Sequence, residues 1–226
     1  MTSAGWWRYG GAFYFRPTSD EPAPAEPSEA WLRGRYLVQG LAHCAECHTP
    51  RNRLGAMALD AGLAGSLIGG QSWYAPPLTG DRVTGLGDWT RQDIVALLKT
   101  GIAPRSHAAG PMAEAVHQGF QYANDADLDA MAVYLKSLPA VGTDPASVSA
   151  AASSALMSTG GKLYEQHCAQ CHGADGQGRS PAWPPLAGNI SVVAASSDNA
   201  VHMVLSGGFA PATAGNPQPH GMPPFG

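Results

Sequence analysis

The chain has 226 residues, of which 44% are apolar and 13% charged, and its formal net charge is −4. That balance leaves no basic stripe for nucleic acid, and no run of about 20 apolar residues is present to cross a bilayer. Gly 28 and Pro 19 together make up about a fifth of the chain, too much for a helical bundle but suited to short helices and long loops wrapped around a bulky group that supplies core volume. The start, Met1 to Trp7, lacks the basic residues and apolar core of a secretory signal.

In chain order, residues 1–27 read as an N-terminal arm. The aromatics Trp6, Trp7, Tyr9, Phe13, Tyr14 and Phe15 lead into a Pro/Glu/Ala connector. Packing on the following domain and contact with a partner or membrane interface both remain open for them. Ser28 is placed to cap a helix running through Trp31, Tyr36, Leu37 and Leu41 to Cys44. A loop from Thr49 to Gly87 carries Trp73-Tyr74-Ala75-Pro76-Pro77-Leu78. A second helix begins at Thr90, with Asp93 completing a capping box, and stops at Gly101. After a loop containing Gly110-Pro111-Met112, Asn124 caps a third helix with an apolar stripe of Leu128, Met131, Tyr134, Leu135 and Leu138. Residues 28–140 thus form one domain, and the small, polar residues 141–158 a linker.

Residues 159–226 repeat the same order in shorter form. A helix from Gly160 to Gln166 leads to Cys168. Trp183-Pro184-Pro185-Leu186-Ala187-Gly188 mirrors the earlier Pro-Pro-Leu-Thr-Gly. A helix from Asp198 to Leu205 mirrors the second one, and Gly221-Met222 mirrors Gly110 to Met112. No counterpart of the third helix follows. The expected fold is all-α, a tandem of short helices and long loops.

Each repeat carries Cys-x-x-Cys-His, as Cys44-Ala45-Glu46-Cys47-His48 and Cys168-Ala169-Gln170-Cys171-His172. This is the attachment pattern of a c-type haem. Two thiols three positions apart on a helical turn face the same way, so both reach the vinyl groups of one porphyrin while the adjacent imidazole ligates its iron. The alternatives are weaker. Zinc knuckles usually stand some 15–20 residues apart, whereas Cys47 and Cys168 are 121 apart. A thioredoxin-like pair needs a βαβ setting, and local disulfides leave both histidines unexplained. The expected cofactor is two covalently bound haem c.

The proximal ligands are then His48 and His172. For the distal position Met112 and Met222 are the candidates, 64 and 50 residues after those histidines, in matching Gly/Pro-rich loops. His220 and His107 are the rivals. Met131 and Met203 read as core residues, while His43 and His167 point away. A thioether closes the site for electron transfer, whereas an open position would suit small-molecule chemistry. The carbonyls of Pro76 and Pro184 are candidates to receive the second N–H of the proximal histidines. Arg51 and Arg53 are placed either for haem propionates or for solvent.

These residues resemble a known family. Tyr36-Leu37-Val38, His43 to Asn52, Trp73, Gly110-Pro111-Met112 and Leu128 to Pro139 are similar to the middle haem domain of multihaem cytochrome c subunits of bacterial membrane-bound alcohol, aldehyde and gluconate-type dehydrogenases. Cys168 to Met222 resembles their last haem domain. The resemblance implies class I cytochrome c-like domains and an electron relay rather than an enzyme acting by itself. It also implies a dehydrogenase large subunit as donor, and quinone or a terminal oxidase as acceptor. The setting it implies is periplasmic, with peripheral attachment to the cytoplasmic membrane. Such subunits typically carry three haems, a signal peptide and a closing helix, so a piece truncated at both ends is expected. A free-standing c4-like dihaem carrier is the alternative, and a haem peroxidase or sensor a more distant one.

Overall fold

The structure, a computed structural model, describes residues 23–141, 152–194 and 196–226. The aromatic arm at residues 6–15 lies outside them. Helix α1, Glu29–Tyr36, starts where Ser28 Oγ accepts the Trp31 N–H at 3.1 Å, and it runs on into a π-helical turn, Leu37–Leu41. Helix α2, Cys44–His48, follows at once. Two short strands, β1 (Ser66–Ile68) and β2 (Trp73–Ala75), pair antiparallel within the long loop.

Helix α3, Arg91–Thr100, has its full capping box: Thr90 Oγ1 accepts from Asp93 N–H at 3.1 Å and Asp93 returns a carboxylate to Thr90 N–H at 2.9 Å. It ends at Gly101, whose φ of 78° suits a residue without Cβ. A tight antiparallel pair, β3 (Ile102–Ala103) and β4 (Ser106–His107), comes next. Helix α4, Gly110–Gln118, precedes α5, Asp125–Ser137, which Asn124 caps by accepting from Asp127 N–H at 2.8 Å.

The core forms where α1 crosses α5. Trp31 meets Tyr134 edge-on, with centroids 5.5 Å apart, and donates Nε1–H to Ser137 Oγ at 2.7 Å. A Cβ at Gly34 would collide with the Ala130 carbonyl, so glycine sets the closeness of that crossing. Val38, Leu128, Leu135, Ile94, Leu98, Leu86 and Trp89 complete the cluster, all buried.

The second half is built differently. Helix α6, Ser154–His167, begins with a Ser153 cap inside the segment expected as linker and buries none of its residues. The predicted start at Gly160 was late because Ala155 to Met157 carry no punctuation, while two consecutive glycines look like a boundary. Helix α7, Ala169–His172, holds the second motif. Helices α8 (Ile190–Val193) and α9 (Asp198–Ser206) follow, then the pair β5 (Gly208–Phe209) and β6 (Gly221–Met222).

A hydrogen-bonded seam joins the halves. Asn199 on α9 exchanges two bonds with the backbone of Tyr74, both 2.8 Å. Thr213 Oγ1–H donates to the Thr100 carbonyl at 3.0 Å, and His117 Nδ1–H to that of Ala212 at 2.7 Å. Ile190 enters the same apolar cluster as Leu98 and Ala103. Among the described residues, no helix is long and apolar enough to cross a membrane.

Candidate functional site

The chain reaches the first motif through His43, a non-glycine residue at φ 52°, ψ 30° that turns the end of the π-helical segment into α2. Its side chain is exposed, as is that of His167 before the second motif. In both motifs the cysteines sit one helical turn apart on the same short helix or at its cap, and all four thiols are free. Burial pushes the Cys44 thiol up to about 11, while its own backbone N–H pulls the other way.

The histidines of the two motifs have the same kind of partner, a proline carbonyl. His48 Nδ1–H donates to the Pro76 carbonyl at 2.6 Å, and His172 Nδ1–H to the Pro184 carbonyl at 2.9 Å. A carbonyl can only accept, so in each ring Nδ1 carries the proton and Nε2 keeps its lone pair free to ligate. Burial also holds His48 below the usual imidazole range, partly offset by the Pro76 bond, so the ring stays neutral with Nε2 unprotonated.

The proline loops are fixed by backbone bonds. In the first half, Gly65 N–H donates to the His48 carbonyl at 2.7 Å and Leu63 N–H to Thr49 Oγ1 at 3.1 Å. In the second, Gly178 N–H donates to the His172 carbonyl and Leu186 N–H to that of Gly176, both at 2.7 Å.

The distal candidates differ from expectation in their setting. Met112 lies in the first turn of α4, with Pro111 ahead of it, rather than in a loop, because proline without an N–H suits a helix start. Its half-buried side chain packs against the same apolar cluster as Cys44, Ala45 and Leu78. Met222 lies in β6, half-buried, with Gly221 in register with Phe209. The rival His220 is exposed, its ring 5.5 Å from that of Trp183, next to the acceptor of His172.

His107, the rival in the first half, is turned toward the other half. Burial, and then the neighbouring His172, push its pKa down to about 4. Met131 is buried in the core, 3% exposed, whereas Met203 is only half-buried and lies against Gly208 beside β6. Arg51 bonds Glu46 at 2.8 Å and the Gly55 carbonyl at 3.0 Å, so it pins the loop after α2, while Arg53 is exposed.

This donor set fits a covalently held haem: paired thiols on one turn, an imidazole with its second nitrogen tied off, and a thioether packed on the same cluster as Cys44. It does not fit zinc, since among the described residues no three His, Cys, Asp or Glu side chains converge as a metal site. Sequence reasoning did not single out Asn189, Ser106, Asn199 or His202. The ring of His202 lies 4.4 Å from that of Trp73 across the seam. Only the position of Asn189 was traceable, directly after the repeated Pro-Pro-Leu-x-Gly.

Comparison with known proteins gives the family. The family model described as cytochrome c matches residues 32–139 and 157–226. The chain is 41% identical over 201 residues to the fructose dehydrogenase cytochrome subunit of Gluconobacter japonicus, covering 80% of this chain and 41% of that protein. It is 40% identical over 211 residues to the cytochrome c subunit of the quinone-dependent alcohol dehydrogenase of Gluconobacter oxydans, covering 85% and 43%. With the gluconate 2-dehydrogenase cytochrome c subunit of Pantoea cypripedii it shares 36% identity over 234 residues, covering 97% and 52%. The chain therefore spans about half the length of these relatives. The resemblance drawn from the two motifs and their flanking loops is upheld, and the chain belongs to the cytochrome c family.

Proposed function

We propose that this chain is an electron-relay segment with two covalently bound haem c groups. One is held by Cys44, Cys47, His48 and Met112, the other by Cys168, Cys171, His172 and Met222. Residues 28–140 and 159–226 would serve as its two haem domains. The observation that carries the reading is the repeated imidazole-to-proline bond, 2.6 Å at His48 and 2.9 Å at His172. It sets the tautomer that a proximal ligand requires, twice, at the residue that follows the second cysteine.

Bound haem supplies the reversible one-electron chemistry. The chain's residues do the rest. The cysteines fix the ring edge, and the proline carbonyls orient the imidazoles and raise their basicity. A Met thioether on the distal side would raise the potential and close the site to small molecules. That closure favours transfer over peroxidase or sensor chemistry.

By similarity to the cytochrome subunits of fructose, alcohol and gluconate dehydrogenases, the donor is a dehydrogenase large subunit. The acceptor is quinone or a terminal oxidase, and the site of action the periplasmic face of the cytoplasmic membrane. A free-standing c4-like carrier is the competing reading. A pyridine haemochrome assay should return two haems per chain. In the oxidised optical spectrum, Met112→Ala and Met222→Ala should each remove part of the iron–sulfur charge-transfer band. A band left intact by both would overturn the axial assignments, and fewer than two haems would overturn the relay.

A further inference from the structure

Asn189 sits at the point where the second proline loop meets the first half, and its side chain bonds to both. Its Oδ1 accepts from Ser106 Oγ–H at 3.1 Å and from Ser191 N–H at 3.0 Å, while Nδ2–H donates to the Pro185 carbonyl at 2.9 Å. Asn189 and Ser106 are both buried, 5% and 4% exposed. Pro185 directly follows Pro184, the acceptor of His172 Nδ1–H. The ring fixes φ of Pro184 and the proline that follows restricts its ψ, so little freedom is left between its carbonyl and that of Pro185 to absorb a displacement. Ile190, the next residue, is embedded in the first half's apolar cluster and keeps the loop from sliding away.

We propose that Asn189 is a positioning residue through which Ser106 of the first half braces the Pro184–Pro185 loop that aims His172, so the second haem's proximal geometry is set across the seam. This rests on the reading of His172 as proximal ligand. The brace is one-sided. The counterpart of Asn189 in the first repeat, Asp81, turns back on its own loop and accepts from Val83 N–H at 2.9 Å and Thr84 N–H at 2.7 Å. At this position the first repeat is thus bonded within its own loop, whereas the second reaches across the seam. His107, beside Ser106 on β4, lies near enough to His172 to have its own pKa lowered by it, after the larger effect of burial. A buried asparagine that merely caps α8 would contribute stability without tuning His172.

The test uses the full haem-loaded chain. His48→Ala and His172→Ala variants assign the two sets of low-spin EPR g-values and the two midpoint potentials. Ser106→Ala removes the cross-seam bond and leaves the cap of α8 intact. It should move the g-values and potential of the second haem and leave those of the first unchanged. Ser106→Thr, which keeps the hydroxyl on a strand that suits a β-branched residue, should return them toward the native values. Loss of the second haem alone in Ser106→Ala, counted by pyridine haemochrome, would also support the brace. A second-haem signal identical to the native one in Ser106→Ala, or equal shifts or losses at both haems, would overturn it. If His172→Ala instead leaves both signals untouched, the ligand reading itself fails, a result separable from failure of the brace.

Discussion

Asn199 closes on the backbone of Tyr74 from both sides, accepting its N–H and donating to its carbonyl, each at 2.8 Å. The amide thereby acts as an extra strand residue beside β2 and ties α9 to the loop that leads to Pro76. Asn199 is 6% exposed, so its loss leaves backbone groups of Tyr74 without partners in a dry seam. Asn199→Ala is expected to cost about 2 kcal/mol, following the penalty for unpaired buried polar groups. It should also uncouple the halves. Calorimetry of the loaded chain should show a second transition appearing; a single unshifted transition would contradict the role of this pair.

Two glycines on corresponding helices should respond oppositely to the same change. At Gly34 an added Cβ would strike the Ala130 carbonyl and crowd Tyr134, while at Gly160 it would meet nothing within 4 Å among the described residues. Gly34→Ala forces α1 and α5 apart and should destabilise by roughly 2 kcal/mol or more, the usual scale of overpacking. Gly160→Ala only removes the entropic cost of a mid-helix glycine, and should stabilise α6 by about 0.5–1 kcal/mol. Urea unfolding of the two variants side by side decides the matter.

What was legible in the sequence was local. The caps at Ser28, Thr90 and Asn124, the stop at Gly101 and the stripe from Leu128 to Leu135 all follow from short-range rules, and the structure has each. The proline carbonyls were also readable, because a ligating histidine needs an acceptor and proline holds one rigidly. The seam was not. Asn189, Asn199 and Ile190 look like ordinary loop and helix residues until the halves meet, since the asparagines' partners Ser106 and Tyr74 lie 83 and 125 positions away in sequence and Ile190 joins a cluster otherwise built by the first half. The loop setting expected for Met112 failed for a simpler reason. Gly-Pro reads as a turn, yet proline is equally at home in the first turn of a helix.

Thr79 is buried, 1% exposed, and its hydroxyl has no hydrogen-bond partner among the described residues. A hydroxyl withheld from water without compensation costs about 1–3 kcal/mol. Thr79→Val keeps the shape and β-branching and removes the cost, so it should raise stability by about 1 kcal/mol. The measurement is the urea midpoint of the haem-loaded chain, and a lowered midpoint would show that the hydroxyl is in use.

Acid should act on the first half through Asp81. Hydrogen bonds from the Thr84 backbone first, then from its hydroxyl and from Val83, hold the Asp81 carboxyl below the usual carboxylate range against the opposing effect of burial. A folded-state pKa lower than the unfolded one means that the unfolded chain takes up protons first as the pH falls. The stabilisation is therefore complete above the unfolded pKa of about 4 and is lost as the pH drops through the folded value. Asp81→Asn retains a carbonyl oxygen for the same N–H groups but cannot titrate. It should flatten the acid limb of a stability-against-pH curve below about pH 5 while leaving the neutral plateau lower by a small, constant amount. An acid limb as steep in the variant as in the native chain would assign the loss to other carboxylates, with Asp127, held low by its bond to Arg33, the next to replace.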